Sequence, residues 1–151
     1  MKLIIIIIAI LVVVSNLFSI DGDKILGKWY TENKKSIVEI YVENGKYQGK
    51  IIKLKTPFYS ENHEKAGQIK KDDKNPDPEK RKQTLEGLKI LFDFQYNEKK
   101  DKWIKGKIYD PESGNTYFCK ISLNEKGELK IRGSLDKWGI AGKTTIWKRV
   151  N

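Results

Sequence analysis

The sequence predicts an all-β fold, a single antiparallel up-and-down barrel of about eight strands, with one long loop that carries a short helix. Three observations predict it. First, Trp103 to Asn124 holds two runs of alternating apolar and polar residues around Asp110-Pro111-Glu112-Ser113-Gly114-Asn115, residue types that favour chain reversal. Second, the same alternation recurs along most of the chain with short turns between segments, which suits a sheet that removes its edges by closing. Third, Gly49, Gly106 and Gly133 each fall inside a strand between longer residues. A glycine there usually marks a sharp bend, a bulge or room for something close by, and bending of the barrel wall is the simplest use.

Residues 1–19 stand apart from that pattern. Lys2 precedes twelve uninterrupted apolar residues, Leu3 to Val14, then Ser15-Asn16-Leu17-Phe18 and a small residue at Ser19. This is the layout of a secretory signal peptide, with cleavage expected near Ser19. An uncleaved anchor extended through Leu17 to Ile20 is the alternative. The barrel domain is then 20–151, exported to the periplasm or secreted. Without Lys2 the chain keeps 29 basic and 20 acidic side chains, a formal +9.

Gly27 to Thr31 opens the domain as a short strand. Ser36 to Glu43 follows, with Val38, Ile40 and Val42 on one face. Asn44-Gly45 is a strong hairpin signal, because both residues tolerate the positive φ of a type I′ turn. Lys46 to Leu54 is the return strand, and the Ile51-Ile52 pair breaks its alternation, so a bulge is expected there. Residues 55–86 show no sustained periodicity. Within them Asp77 can cap a helix, Pro78 suits its first position and Glu79 complements its dipole, so about two turns are expected over Pro78 to Leu85, stopped by Gly87. Leu88, Ile90, Phe92, Phe94 and Tyr96 alternate with polar residues as the cleanest strand of all. Lys102–Tyr109 and Asn115–Leu123 form the organising hairpin. After the turn at Asn124 to Gly127 come Glu128–Leu135, a loop over Asp136 to Ala141, and Gly142–Val150.

First and last strands pair in a closed barrel, which makes Gly27, Trp29 and Arg149 a structural closure set. The guanidinium can lie over the indole and seal the barrel floor, a contact worth roughly 0.5–2 kcal/mol.

No catalytic constellation is visible, and no catalytic residue, metal or cofactor is expected. Gly139 to Thr144 lacks the glycine a phosphate loop needs at 137, where Lys stands, and it leads into a strand instead of a helix. Asp73, Asn75 and Asp77 begin like a calcium loop, but Pro78 and Thr84 occupy its sixth and twelfth positions. His63 is the single histidine and Cys119 the single cysteine. They cannot build a zinc site or a histidine-based nucleophile, and Cys119 shares a face with core residues as an inert thiol. A carboxylate-only hydrolase at Asp77 and Asp110 is the residual enzymatic option.

Gly27-X-Trp29, Ile37 to Ile40, Asn75-Pro76-Asp77, Tyr109-Asp110-Pro111 with Gly114 and Tyr117, Leu129-X-Ile131-Arg132-Gly133 and Trp147-X-Arg149 occur in this order. With them the chain resembles the domain of unknown function 2147 family, small exported bacterial proteins, over about Leu26 to Val150. The resemblance implies a lipocalin-like barrel and an envelope location; it implies no activity. Arg81 matches the first arginine of the family's loop, whereas Gln83 and Thr84 replace its second arginine and its proline.

The expected function is therefore a lipocalin-like binding protein for a small apolar or lipid-like molecule, held where residues 55–86 meet the barrel mouth. Candidate binding residues are Asn75, Asp77, Arg81, Tyr109, Asp110, Tyr117 and Trp138. The alternative is an interaction protein whose basic wall, at Lys105, Lys107 and Lys130, holds an anionic membrane, a glycan or an acidic protein partner. Nucleic acid is not the expected partner, and the oligomeric state is left open.

Overall fold

The computed structural model describes residues 21–151; the leader expected over residues 1–19 lies outside them. Eight strands close into one antiparallel barrel, each paired with its sequence neighbours and the last with the first. They are β1 (Gly27–Tyr30), β2 (Ser36–Glu43), β3 (Lys46–Leu54), β4 (Lys89–Asn97), β5 (Lys102–Asp110), β6 (Asn115–Leu123), β7 (Leu129–Ser134) and β8 (Gly142–Arg149). Asn44 and Gly45 both take positive φ, 52° and 72°, as the type I′ turn requires. The predicted bulge in β3 is present: Ile37 pairs with Lys53 and Val38 with Ile51, which leaves Ile52 as the extra residue.

One end of the barrel is packed solid. Ile25, Trp29, Trp103, Phe94, Leu129 and Trp147 are buried there, and a 3-10 turn at Asp21–Ile25 folds in as a plug. The plug is held by polar groups that would otherwise be stranded in the core. The Trp29 indole N–H donates to the Ile25 carbonyl at 2.8 Å and that of Trp103 to the Gly22 carbonyl at 3.1 Å. Tyr47 donates to the Asp23 carboxylate at 2.8 Å. No sequence periodicity marks this five-residue plug; tertiary contact alone defines it.

Two expectations need correction. The strand from Leu88 does not keep a simple alternation. Asp93 sits at φ 60° and Lys105 at φ 62°, both in the stretch of the β4–β5 ladder between the pairs Phe92 to Lys107 and Gln95 to Ile104, so both strands kink there. The Gln48 side chain satisfies the kink, donating to Asp93 Oδ1 at 2.9 Å and accepting from the Asp93 N–H at 3.0 Å. In consequence Leu91 and Phe94 are the innermost residues of β4, while Phe92 is only half-buried. Gly106 makes room for this: a Cβ there would fall 2.3 Å from the Phe94 ring.

The helix is also shorter than expected. Asp77 does cap it, accepting from the Glu79 N–H at 3.1 Å, but only a 3-10 turn over Pro78–Lys82 forms. It ends at Gln83, which is extended, not at Gly87. The turn has no buried residue, so nothing in the packing supports a second turn. Residues 55–86 instead fold back on themselves through the bridges Phe58 to Ile69 and Lys71 to Thr84.

Candidate functional site

The barrel end away from the plug is hollow on one side. A cavity of about 610 Å3 lies between the ends of β5, β6, β7 and β8, within the size range of small-molecule sites. Alternation along these strands turns Ile108, Tyr117, Ile131, Gly133 and Thr145 toward it. Asp110, Ser134, Leu135 and Lys143 form its rim. The wall is mainly aliphatic, and Gly133 widens it: a Cβ there would meet Ile108 only at 3.4 Å.

The rim charges are engaged elsewhere. Asp110 accepts from the Glu112 N–H at 3.0 Å and from the Ser113 hydroxyl at 2.7 Å, so it caps its own turn. Lys143 lies 3.7 Å from the Glu32 carboxylate. The hydroxyls of Tyr117 and Thr145, by contrast, make no hydrogen bond to a protein group among the described residues. They are the polar handles left inside an otherwise apolar wall.

The other sequence candidates form a separate structure. Tyr109 lies on the opposite face of β5 from Ile108 and is buried beneath residues 55–86. It donates to Asp72 Oδ1 at 2.6 Å, and Asn75 donates to Asp72 Oδ2 at 2.7 Å; Asp72 itself is fully buried. Burial first, then the adjacent Asp72 carboxylate, pushes the Tyr109 hydroxyl well above its ordinary pKa, so it remains a donor. Arg81 donates to the Asn75 carbonyl at 2.8 Å, and the Asp77 N–H donates to the Asn75 side chain at 2.9 Å. Lys74 donates to the Glu112 carbonyl at 2.6 Å, and a Cβ on Gly114 would strike the Lys74 carbonyl at 2.1 Å.

Asn75, Asp77, Arg81 and Tyr109 thus belong to a latch that ties residues 55–86 to the β5–β6 turn, and Asp110 and Tyr117 belong to the cavity. Trp138 stands on the rim loop, 68% exposed. None of residues 55–86 lines the cavity. The sequence missed Gly133 and Thr145 as cavity residues. The usable signal lay in the β7–β8 register, which sets Gly133 against Lys143 and Ile131 against Thr145, and that register is not legible before the pairing is known.

A second recess, about 380 Å3, is lined by Gln83 to Lys89 from one continuous segment, with no opposing wall. Cys119 is buried, and burial pushes its thiol up to about 12, which leaves no thiolate for chemistry at neutral pH. No group of three or more metal-ligating side chains occurs among the described residues.

A closed eight-stranded barrel with one plugged end and one hollow end is the lipocalin-like class, the architecture of small-ligand binding proteins. The chain belongs to the bacterial family described as "Uncharacterized protein conserved in bacteria (DUF2147)", which matches residues 27–149. Among solved structures it is similar to protein HP1028 from the human pathogen Helicobacter pylori, described as belonging to the lipocalin family. The identity is 30%, the TM-score 0.68, and the match covers 83% of this chain and 82% of that one. No curated protein matches the chain.

Proposed function

We propose that this protein is an exported carrier that holds one small, largely apolar molecule in the cell envelope. The observation that carries this reading is the hollow end itself: Ile108, Ile131 and the side-chain-free Gly133 enclose apolar space beside two unengaged hydroxyls. A medium-length acyl chain or similar lipid fragment with one hydrogen-bonding group suits that wall, since burial of each methylene contributes about 0.8 kcal/mol. The export signal over residues 1–19 supports an envelope setting.

The test uses a neutral naphthylamine dye whose emission rises in apolar surroundings, displaced by a series of fatty acids. Dye uptake by the native chain and by Gly133→Ala, with loss in Gly133→Leu, is the expected result. Folding of each variant is checked by its thermal midpoint. Thr145→Leu narrows the cavity from the facing strand and serves as the second variant. Equal dye binding by the native chain, Gly133→Leu and Thr145→Leu would place the dye elsewhere and end the proposal.

A further inference from the structure

The loop between β7 and β8, residues 135–141, is built in a way the cavity does not require. Three apolar side chains face solvent there: Leu135 is 74% exposed, Trp138 68% and Ile140 80%. Exposed apolar residues scattered singly need no explanation, but three on one short loop do. The loop is also held rigid. The Asp136 carboxylate accepts from the N–H groups of Trp138 (2.9 Å), Ile140 (3.1 Å) and Ala141 (2.7 Å). Arg132 donates to the Gly139 carbonyl at 2.7 Å and the Ile140 carbonyl at 3.1 Å, and Lys120 donates to the Trp138 carbonyl at 3.0 Å. Cations stand around the tip. The Lys137 ammonium sits 4.9 Å over the Trp138 ring, and Lys107 lies 5.9 Å over Phe118 on the adjoining wall. Among the described residues Lys107, Lys120, Arg132 and Lys137 form no ion pair with a carboxylate, and the single acid of the loop is consumed by backbone donors.

We infer that residues 135–141 dock the barrel mouth on an anionic lipid surface, with Trp138 and Ile140 entering the headgroup boundary and the lysine and arginine collar meeting the lipid charge. Tryptophan favours that boundary because its ring is apolar and its N–H is polar. Basic side chains gain there from the negative surface potential. A tip of three side chains is too small for a stable protein interface, which needs about 800 Å2 from each partner. A bilayer accepts a narrow tip. Rigidity lowers the ordering cost of docking. Leu135, Ala141 and Lys143 belong both to this end and to the cavity rim, so docking would set the cavity opening against the membrane. This goes beyond the carrier reading and does not need it.

The experiment measures binding of the chain spanning residues 20–151 to phosphatidylcholine vesicles with and without phosphatidylglycerol. Trp138 reports insertion, because Trp29, Trp103 and Trp147 are buried and acyl chains brominated near the headgroup quench only what reaches them. Expected are binding to the anionic vesicles alone, weakening as salt rises, and quenching of the exposed tryptophan. Joint Trp138→Ser and Ile140→Ser substitution should cost about tenfold or more in partitioning. Lys137→Ala should cost about fivefold, as expected for one basic residue near the surface. Gly133→Leu should bind vesicles normally, which separates this outcome from failure of the carrier reading. Absence of quenching on anionic vesicles, equal binding to neutral ones, or full affinity in the double variant overturns the inference.

Discussion

The Arg149 guanidinium lies 4.1 Å over the Trp29 ring, and the two residues are direct register partners across the β1–β8 seam. That seam is the shortest in the barrel, with only Trp29 to Arg149 and Tyr30 to Lys148 paired. Arg149 lengthens its hold by donating to the carbonyls of Leu26 at 2.9 Å and Lys24 at 2.6 Å. One side chain therefore joins the last strand, the first strand and the terminal plug.

Removal of that side chain should loosen closure without emptying the core. Arg149→Ala should cost about 1–3 kcal/mol, the combined scale of one cation–π contact and its charged hydrogen bonds, discounted for exposure. Arg149→Lys should recover little, since an ammonium cannot reach two carbonyls from over the ring. Urea midpoints of the two variants check this; a native midpoint in Arg149→Ala would mean that the seam holds without it.

Gly106 should tolerate no side chain. A Cβ would sit 2.3 Å from the Phe94 ring, so Gly106→Ala should destabilise by about 1–3 kcal/mol through overpacking. Phe94→Leu in the Gly106→Ala background should return part of that loss. Additive melting temperatures for the two substitutions would argue against direct contact.

Tyr109→Phe should release the latch and leave the barrel closed. It strips one of two donors from the buried Asp72 carboxylate, a loss on the order of 1–3 kcal/mol. Residues 55–86 should then be cut faster by a protease that acts after lysine, while the dye still binds, because no latch residue lines the cavity. Unchanged cleavage would show that the latch does not depend on this bond.

The rim loop should loosen in acid. Backbone donors, Ala141 first and Ile140 next, hold the Asp136 carboxyl below its ordinary pKa. A depressed folded-state pKa means that the loop's stabilisation is complete above the ordinary carboxylate value, about 3.9, and fades as pH falls below it. Amide exchange at Ile140 and Ala141 should therefore accelerate below about pH 4, relative to strand amides. Asp136→Asn should show the loosened loop already at neutral pH. A loop equally protected at every pH would contradict the assignment.

Much of the fold was legible in the chain because its strands alternate and its turns carry their own chemistry. Asn44-Gly45 accounts for one hairpin and Ile51-Ile52 for the bulge that follows it. The β4 strand misled for a physical reason: its residues alternate well, yet the kink at Asp93 shifts the inward face by one residue, and only Gln48 and Gly106 on other strands reveal it. The candidate site divided likewise. Asn75 and Tyr109 were read as candidate binding residues, and what joins them is Asp72, which reads as one acid in a charged segment until the chain folds over it.

By itself the sequence determined where strands run and where they turn, because each depends on residues close along the chain. That Trp29 and Arg149 would meet followed from closure, since the first and last strands pair once the sheet has no edge. Tertiary structure alone decided that one barrel end is plugged and the other hollow. It also decided that Gly133 borders empty space while Gly106 borders a ring. Packing density depends on what stands across the barrel from a residue, and that is set by register and kinks summed over all eight strands.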